Sequence, residues 1–201
     1  MSVGLRERKK QDTRRAIAAA ARALTEERGI DGFTVDDIAE RADVATRTVF
    51  NHFETKEAAV IGVDEVAIRE FGRRLIARPA GEGPLVALRN ALFDSDADLP
   101  ALAQAWVARL SLVERYPVLL PRHLAAIHRV EEELVAAMAT RLGRDAAEDL
   151  YPTVVVAAWL STFRAVLAWW WNNGRRGSLA VLIDDAVRVL TTELRPARRR
   201  R

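Results

Sequence analysis

The sequence predicts an all-α fold of about nine helices. Apolar residues recur at spacings of three and four along most of the chain, the period of a helix with one buried stripe, whereas alternating β-branched runs bounded by turn dipeptides do not recur. Half of the 201 residues are apolar and the 29% that are charged are spread throughout, which supplies both a sizeable core and a solvated surface. No segment repeats another.

Caps and breakers place the elements in order. A first helix runs from about Thr13 through Ile17, Ala21 and Leu24 and stops at Gly29, and Gly32 marks the turn into the next unit. Thr34 and Asp37 form a capping-box-like pair that opens a short helix, and a second short helix follows a turn near Asp43. Thr55, followed by Lys56 and Glu57, opens a longer helix expected to reach Arg78, where Pro79, Gly81 and Gly83 end it. Further helices run from Pro84 to Phe93, from Asp98 and Pro100 to Tyr116, and from about Pro121 to Leu142; short loops between them imply antiparallel packing. Asp145 and Glu148 make another box, although Pro152 would start that helix afresh or kink it, and it should end near Gly174. Ser178 caps a last helix whose Leu179, Leu182, Ile183, Ala186, Leu190 and Leu194 share one stripe, before Pro196 and the Arg198 to Arg201 tail.

Composition excludes several classes of function. No uninterrupted apolar run approaches 18 residues and the basic N-terminus has no apolar stretch behind it, so neither a membrane span nor a secretory signal is expected. A chain without cysteine has no disulfide or thiolate zinc site, which suits a reducing cytoplasm. Catalysis is not expected either, since there is no thiol, no phosphate-cradling glycine loop and no nucleophile elbow. His123 and His128 stand five apart, about 140° around a helix, so they are not the four-apart pair that grips a metal, and His128 with Glu132 supplies only two ligands. No cofactor or metal is expected. The net charge of +3 divides sharply: residues 1 to 22 hold seven Lys or Arg against Glu7 and Asp12, and residues 23 to 43 hold Arg28 and Arg41 against seven acids. A basic arm ahead of an acidic patch sets a surface that attracts phosphates beside one that repels them.

The informative segment is TVDDIAERADVATRTVFNHFETK, residues 34 to 56. Its first helix turns Val35, Ile38 and Ala39 inward, and Val49, Phe50 and Phe53 recur at helical spacing in the second. Two short helices that cross tightly need a small residue at the contact, which Ala39 supplies. Asp43 tolerates the positive φ the turn wants, and Val49, ten residues after Ala39, locks the second helix onto the first. These offsets match a DNA-binding helix-turn-helix. With Val49 and Phe53 buried, Thr46, Arg47, Thr48, Asn51 and His52 face outward as donors. Hydroxyls and Lys56 suit phosphates, with Lys56 also at a helix start whose free amides attract them; Arg47 and Asn51 suit the edges of guanine and adenine.

Residues about 10 to 60 resemble the DNA-binding domain of the TetR family of regulators: a helix ending at Gly29 is followed by GFTVDDIAERADVATRTVFNHFETKEA, with a short helix, a turn, an aromatic-rich recognition helix and a Lys-Glu helix start in the family's order. The resemblance implies phosphate contacts from Thr34, Thr46, Thr48, His52 and Lys56, and base reading from Arg47 and Asn51. Three positions depart from the family pattern. Phe50 stands where a tyrosine usually touches a phosphate, Asp43 replaces the turn glycine, and Ala45 replaces a capping serine, leaving Thr46 to take over the cap.

The resemblance further implies an N-terminal three-helix helix-turn-helix DNA-binding domain, residues 1 to 56 with the basic arm, a C-terminal helical ligand-binding and dimerisation domain, residues 57 to 195, and a basic tail, residues 196 to 201. Trp159, Phe163, Val166, Leu167 and Trp170 form a stripe matching that of the final helix, so the last two helices are expected to pair with their symmetry mates in a homodimer that reads a palindromic double-stranded operator. Trp169, Trp170 and Trp171 span about 200° of a helix and need at least two environments. Trp106 with Arg109, Leu110 and Val113, and His123 with Ile127 and His128, could line a cavity between helices, with Trp159, Phe163 and Trp170 as further effector contacts. The C-terminal half resembles the branch that includes the mycofactocin-type regulators, which implies an acyl-CoA-like or other lipophilic effector. Such an effector would shift the dimer towards wrongly spaced recognition helices, with the helix from Lys56 to Arg78 as the lever. The alternative is an effector-independent dimer whose large domain only dimerises or binds a protein partner.

Overall fold

Ten α-helices and one 3-10 turn are present in the computed structural model, which describes residues 5–94 and 99–192, with side chains from residue 9 onward; no strand occurs among the described residues. They are α1 (Leu5–Arg28), α2 (Val35–Arg41), α3 (Thr46–His52), α4 (Lys56–Ile61), α5 (Glu65–Ala77), α6 (Pro84–Phe93), α7 (Leu99–Arg115), the turn Pro117–Leu119, α8 (Leu120–Leu142), α9 (Leu150–Asn172) and α10 (Leu179–Thr192). Asp98, Leu194, Pro196 and the Arg198 to Arg201 tail lie outside the described residues, as do the side chains of Arg6 and Arg8.

Most boundaries follow from the caps. Gly29 takes a φ of 75° and its N–H bonds the carbonyl of Thr25 at 3.0 Å, ending α1. Three boundaries differ from expectation. First, α1 begins at Leu5 rather than near Thr13, because the charged run before it is made of helix formers and the Thr13 hydroxyl bonds back to the Lys9 carbonyl (2.9 Å) instead of capping. Second, the helix expected from Lys56 to Arg78 is two helices. Gly62 ends α4 in the left-handed region (φ 56°), and Asp64 Oδ1 accepts from the N–H of Ala67 at 3.1 Å, starting α5 afresh. Third, Asp145 and Glu148 form a turn rather than a capping box. The cap of α9 is Asp149, which accepts from the Tyr151 N–H at 2.8 Å and leaves Pro152 in the first turn.

The backbone divides into two units, Met1–Ala67 with Ala108–Arg129, and Ile68–Val107 with Val130–Arg201. The first is built on Ile17, Ala21 and Leu24 of α1, Ile38 and Ala39 of α2, Val49 of α3, and Ala59, Val60 and Ile61 of α4, with Leu112, Leu119 and Ala126 closing the same core. In the second, α6 and α10 pack on α9, burying Leu88, Val156, Trp159, Leu167, Trp170 and Ile183. Arg89 of α6 bridges the Asp184 carboxylate of α10, one contact being 2.7 Å. By length and composition α9 could cross a bilayer. Arg164 interrupts it, and Val156, Trp159, Leu167 and Trp170 are buried among their neighbours, so it is a core helix.

Candidate nucleic-acid interface

The first of the two crossing helices is capped from both sides. The Thr34 N–H and hydroxyl donate to Asp37 Oδ2 at 2.7 and 2.6 Å, and the Asp37 N–H returns a bond to Thr34 Oγ1 at 3.2 Å. Asp43 holds a φ of 53°, as the turn requires, and the Val44 N–H closes on the Ala39 carbonyl at 3.0 Å. Ala39 is buried at the crossing, and Val49, 2% exposed, anchors α3 beneath it. Ala45 occupies the N-cap of α3 without a side-chain bond. Thr46 does not replace it: its hydroxyl donates to Asp36 Oδ1 at 2.6 Å and pins the start of α3 to α2.

Arg47, Phe50 and Asn51 point outward, while Thr46, Thr48, His52 and Lys56 are half-buried along the margins. Phe50, grouped by spacing with Val49 and Phe53, is 55% exposed. It lies one position past Val49, about 100° around the helix, and so shares the face of Arg47 and Asn51. Lys56 donates to the Phe33 carbonyl at 3.1 Å and lies 5.1 Å from the centre of that ring, which holds its ammonium at the edge of the motif.

Arg14, within the basic stretch of α1, is a brace. Its guanidinium lies 4.1 Å from the centre of the Phe53 ring, donates to the carbonyl of His52 and, at 3.2 Å, to that of Val63. It thereby ties the end of α3 to the segment between α4 and α5. Arg15 is likewise engaged, with Asp64 at 2.9 Å. Burial lowers the pKa of His52, and the nearby charges of Arg14 and Lys10 lower it further, so the imidazole is neutral at pH 7. In the acidic stretch Glu27 grips Arg41 through two bonds of 2.6 and 2.7 Å, and Asp37 pairs with Arg28 at 3.2 Å.

The residues named for the effector cavity divide between the units, His128 falling in the first. Arg109, Leu110, Val113, His123 and Ile127 belong to the first, and Trp106, Trp159, Phe163 and Trp170 to the second. Trp159 and Phe163 stack at 5.9 Å, and the buried Trp170 donates its indole N–H to the Gly177 carbonyl at 3.2 Å. The three consecutive tryptophans take separate environments: Trp170 is in the core, Trp169 is 54% exposed, and Trp171 is half-buried under Arg175. The stripe nominated for pairing with a symmetry mate is occupied within the chain, because Trp159, Leu167 and Trp170 share one core with Leu179 and Ile183 of α10.

Residues 17–61 match the model of the bacterial regulatory proteins, tetR family, and residues 82–195 match that of the MftR C-terminal domain. The chain belongs to the TetR family. It is 33% identical over 199 residues to the HTH-type transcriptional regulator TcmR of Streptomyces glaucescens, a match covering 95% of this chain and 88% of the relative. FadR of Bacillus halodurans shares the fold, with a TM-score of 0.54 at 20% identity over 98% of this chain and 100% of that one. FadR of Bacillus subtilis, solved in complex with stearoyl-CoA, does so with a TM-score of 0.53 at 19% identity over 90% and 98%. This TetR-family chain is thus a DNA-binding transcriptional regulator of a non-enzymatic family, with an MftR-type C-terminal domain.

Proposed function

We propose that this regulator is a cytoplasmic repressor that binds a palindromic operator as a homodimer and leaves it when a small lipophilic effector binds. The observation that carries the reading is the outward face of α3, where Arg47 and Asn51 stand exposed while Val49 fixes the helix from beneath. Arg47 reads guanine and Asn51 adenine in the major groove, and Thr34, Thr46, Thr48, His52 and Lys56 set the register on the phosphates. One such helix touches few bases, so a two-fold pair supplies selectivity.

Dimerisation falls to α9 and α10, on the faces their own core leaves uncovered. Val154, Ser161, Ala165 and Trp169 line the exposed side of α9, with small residues at its middle, and Val181 and Val189 that of α10. The proposed effector contacts are Arg109, Leu110, Val113, His123 and Ile127 in the first unit, and Trp106, Trp159, Phe163 and Trp170 in the second, each set taken by itself. Because FadR of Bacillus subtilis was solved with stearoyl-CoA, acyl thioesters are the first class to try, ahead of hydrophobic drug-like molecules. Converting a dimer population from 1:99 to 99:1 requires about 5.5 kcal/mol of differential effector affinity.

A gel shift with DNA flanking the gene, at two salt concentrations and with and without acyl thioesters, tests the whole. Arg47→Ala should change sequence preference, whereas Lys56→Ala should weaken all sequences alike and reduce the salt slope by about 1. An unchanged slope would remove Lys56 from the phosphate contacts. The burial of Trp159 and Trp170 in the core favours a second reading, in which the C-terminal domain only dimerises or binds a protein partner. Tryptophan fluorescence indifferent to every acyl thioester and drug would select it.

A further inference from the structure

Arg22 and Arg109 form an uncompensated pair of cations in the first unit. Arg109, on α7, is half-buried, and its Nε is shut from solvent without a hydrogen-bond partner. Arg22, on α1, is half-buried too, with one terminal nitrogen packed against the end of α4, 2.6 Å from where a Cβ on Gly62 would stand. Neither guanidinium has a salt bridge or hydrogen bond among the described residues. Glu26, one turn along α1 and exposed, acts on Arg22 only through its field. The two cations feel each other: burial, and then the charge of Arg22, bring the pKa of Arg109 down to about 10. Two like charges withdrawn from water with no anion between them are costly, and an anionic ligand is what would offset that cost.

We infer that Arg22 and Arg109 are the two jaws of an oxyanion subsite that takes the carboxylate or phosphate head of the effector. The inference rests on the effector reading above and adds the chemistry of one end of the ligand. Planar guanidinium forks match a carboxylate or phosphate through paired N–H donors, and an anion would replace repulsion by two charge-assisted contacts. The position matters for control. The end of α7 docks on α1, where the Tyr116 hydroxyl donates to the Thr25 carbonyl at 3.4 Å, and α1 carries the core on which α2, α3 and α4 sit. An anion between Arg22 and Arg109 would draw α7 towards α1 at the base of the DNA-reading helices.

The test compares ligands of one tail and three heads, decyl phosphate, decanol and decyltrimethylammonium, by isothermal titration on the full-length wild type, Arg109→Gln and Arg22→Gln. The wild type should bind decyl phosphate at least about tenfold more tightly than decanol, the factor set by one charge-assisted hydrogen bond. Either glutamine variant should erase that preference, bringing decyl phosphate down to the affinity of decanol for the same variant. Equal binding of phosphate and alcohol to the wild type would overturn the subsite and leave the lipophilic effector standing. Binding of none of the three would count against the effector, and a second measurement still decides the subsite. Pyrophosphate should raise the melting temperature of the wild type above that in sodium chloride of equal ionic strength, and should do so less for Arg109→Gln. Identical pyrophosphate responses in the two proteins would overturn it. Arg109→Lys, which keeps the charge but loses the fork, should fall between them.

Discussion

Gly62→Ala tests the account of the first unit most directly. Gly62 adopts φ 56°, and a Cβ there would stand 2.7 Å from Ala18 Cβ and 3.0 Å from the Ala59 carbonyl oxygen. The Arg22 nitrogen at 2.6 Å can swing aside; Ala18 cannot, because it lies on the buried face of α1. The left-handed conformation costs an alanine about 1 kcal/mol and forcing a methyl into packed surroundings roughly another 2 kcal/mol. A loss of about 3 kcal/mol in a chain of this size lowers the melting temperature by roughly 6–12 °C. Gly81→Ala is the control, since nothing lies within 4 Å of its added methyl. Thermal unfolding followed by circular dichroism should separate the two variants widely. A Gly62→Ala protein melting within about 2 °C of wild type, on the scale of 2–4 °C per kcal/mol, would refute the steric argument.

Three further outcomes are expected. Phe50, exposed beside Arg47 and Asn51, should pack on a thymine methyl, so replacing the operator's thymines by uracil should weaken the wild type by about fourfold at the sensitive position, the worth of one buried methyl-sized group, and leave Phe50→Ala indifferent. His52, neutral because its pKa is lowered by burial and then by Arg14 and Lys10, should add no pH dependence to operator binding between pH 7 and 8. As pH falls through that lowered value it gains a charge facing DNA, and binding and its salt slope should rise. Folding stability moves the other way: the unfolded imidazole takes the proton first, so this contribution is present above the ordinary value near 6.5 and declines below it, and His52→Gln should remove both trends. Trp169→Arg, on the exposed side of α9, should leave the melting of the chain largely intact while sedimentation shows monomer; a dimer undiminished at low micromolar concentration would place the interface elsewhere.

The recognition motif was legible because its demands are local. Ala39 at the crossing, Asp43 in the left-handed turn and Val49 beneath it stand at fixed offsets that each follow from one steric requirement. The break between α4 and α5 was not. Gly62 sits inside an unbroken helical period, and a glycine within a helix costs only about 1 kcal/mol, so periodicity outweighs it on paper. What decides the matter is tertiary: Ala18 lies against Gly62, and Arg14, far off in sequence, claims the Val63 carbonyl. The stripe on α9 was read correctly as apolar and assigned to the wrong neighbour, because periodicity states which face is buried and not what buries it.

With the single long lever gone, coupling in the first unit has a different physical carrier. Arg14 holds the carbonyl of His52 at the end of α3 and that of Val63 in the segment after α4, and its guanidinium also lies 3.8 Å from Glu65, the first residue of α5. Glu65 in turn receives Arg129 of α8 at 3.2 Å. The orientation of the recognition helix is therefore linked to the segment before α5 by the hydrogen bonds of Arg14, and to Glu65 by a longer ion pair, rather than by a continuous helical rod. Such bonds are directional and shared, so a small displacement at Val63 must either carry Arg14, and with it His52, or break a charged hydrogen bond worth about 1.5–3 kcal/mol. A lever of that kind resets between discrete arrangements instead of bending, which is what the proposed effector response requires.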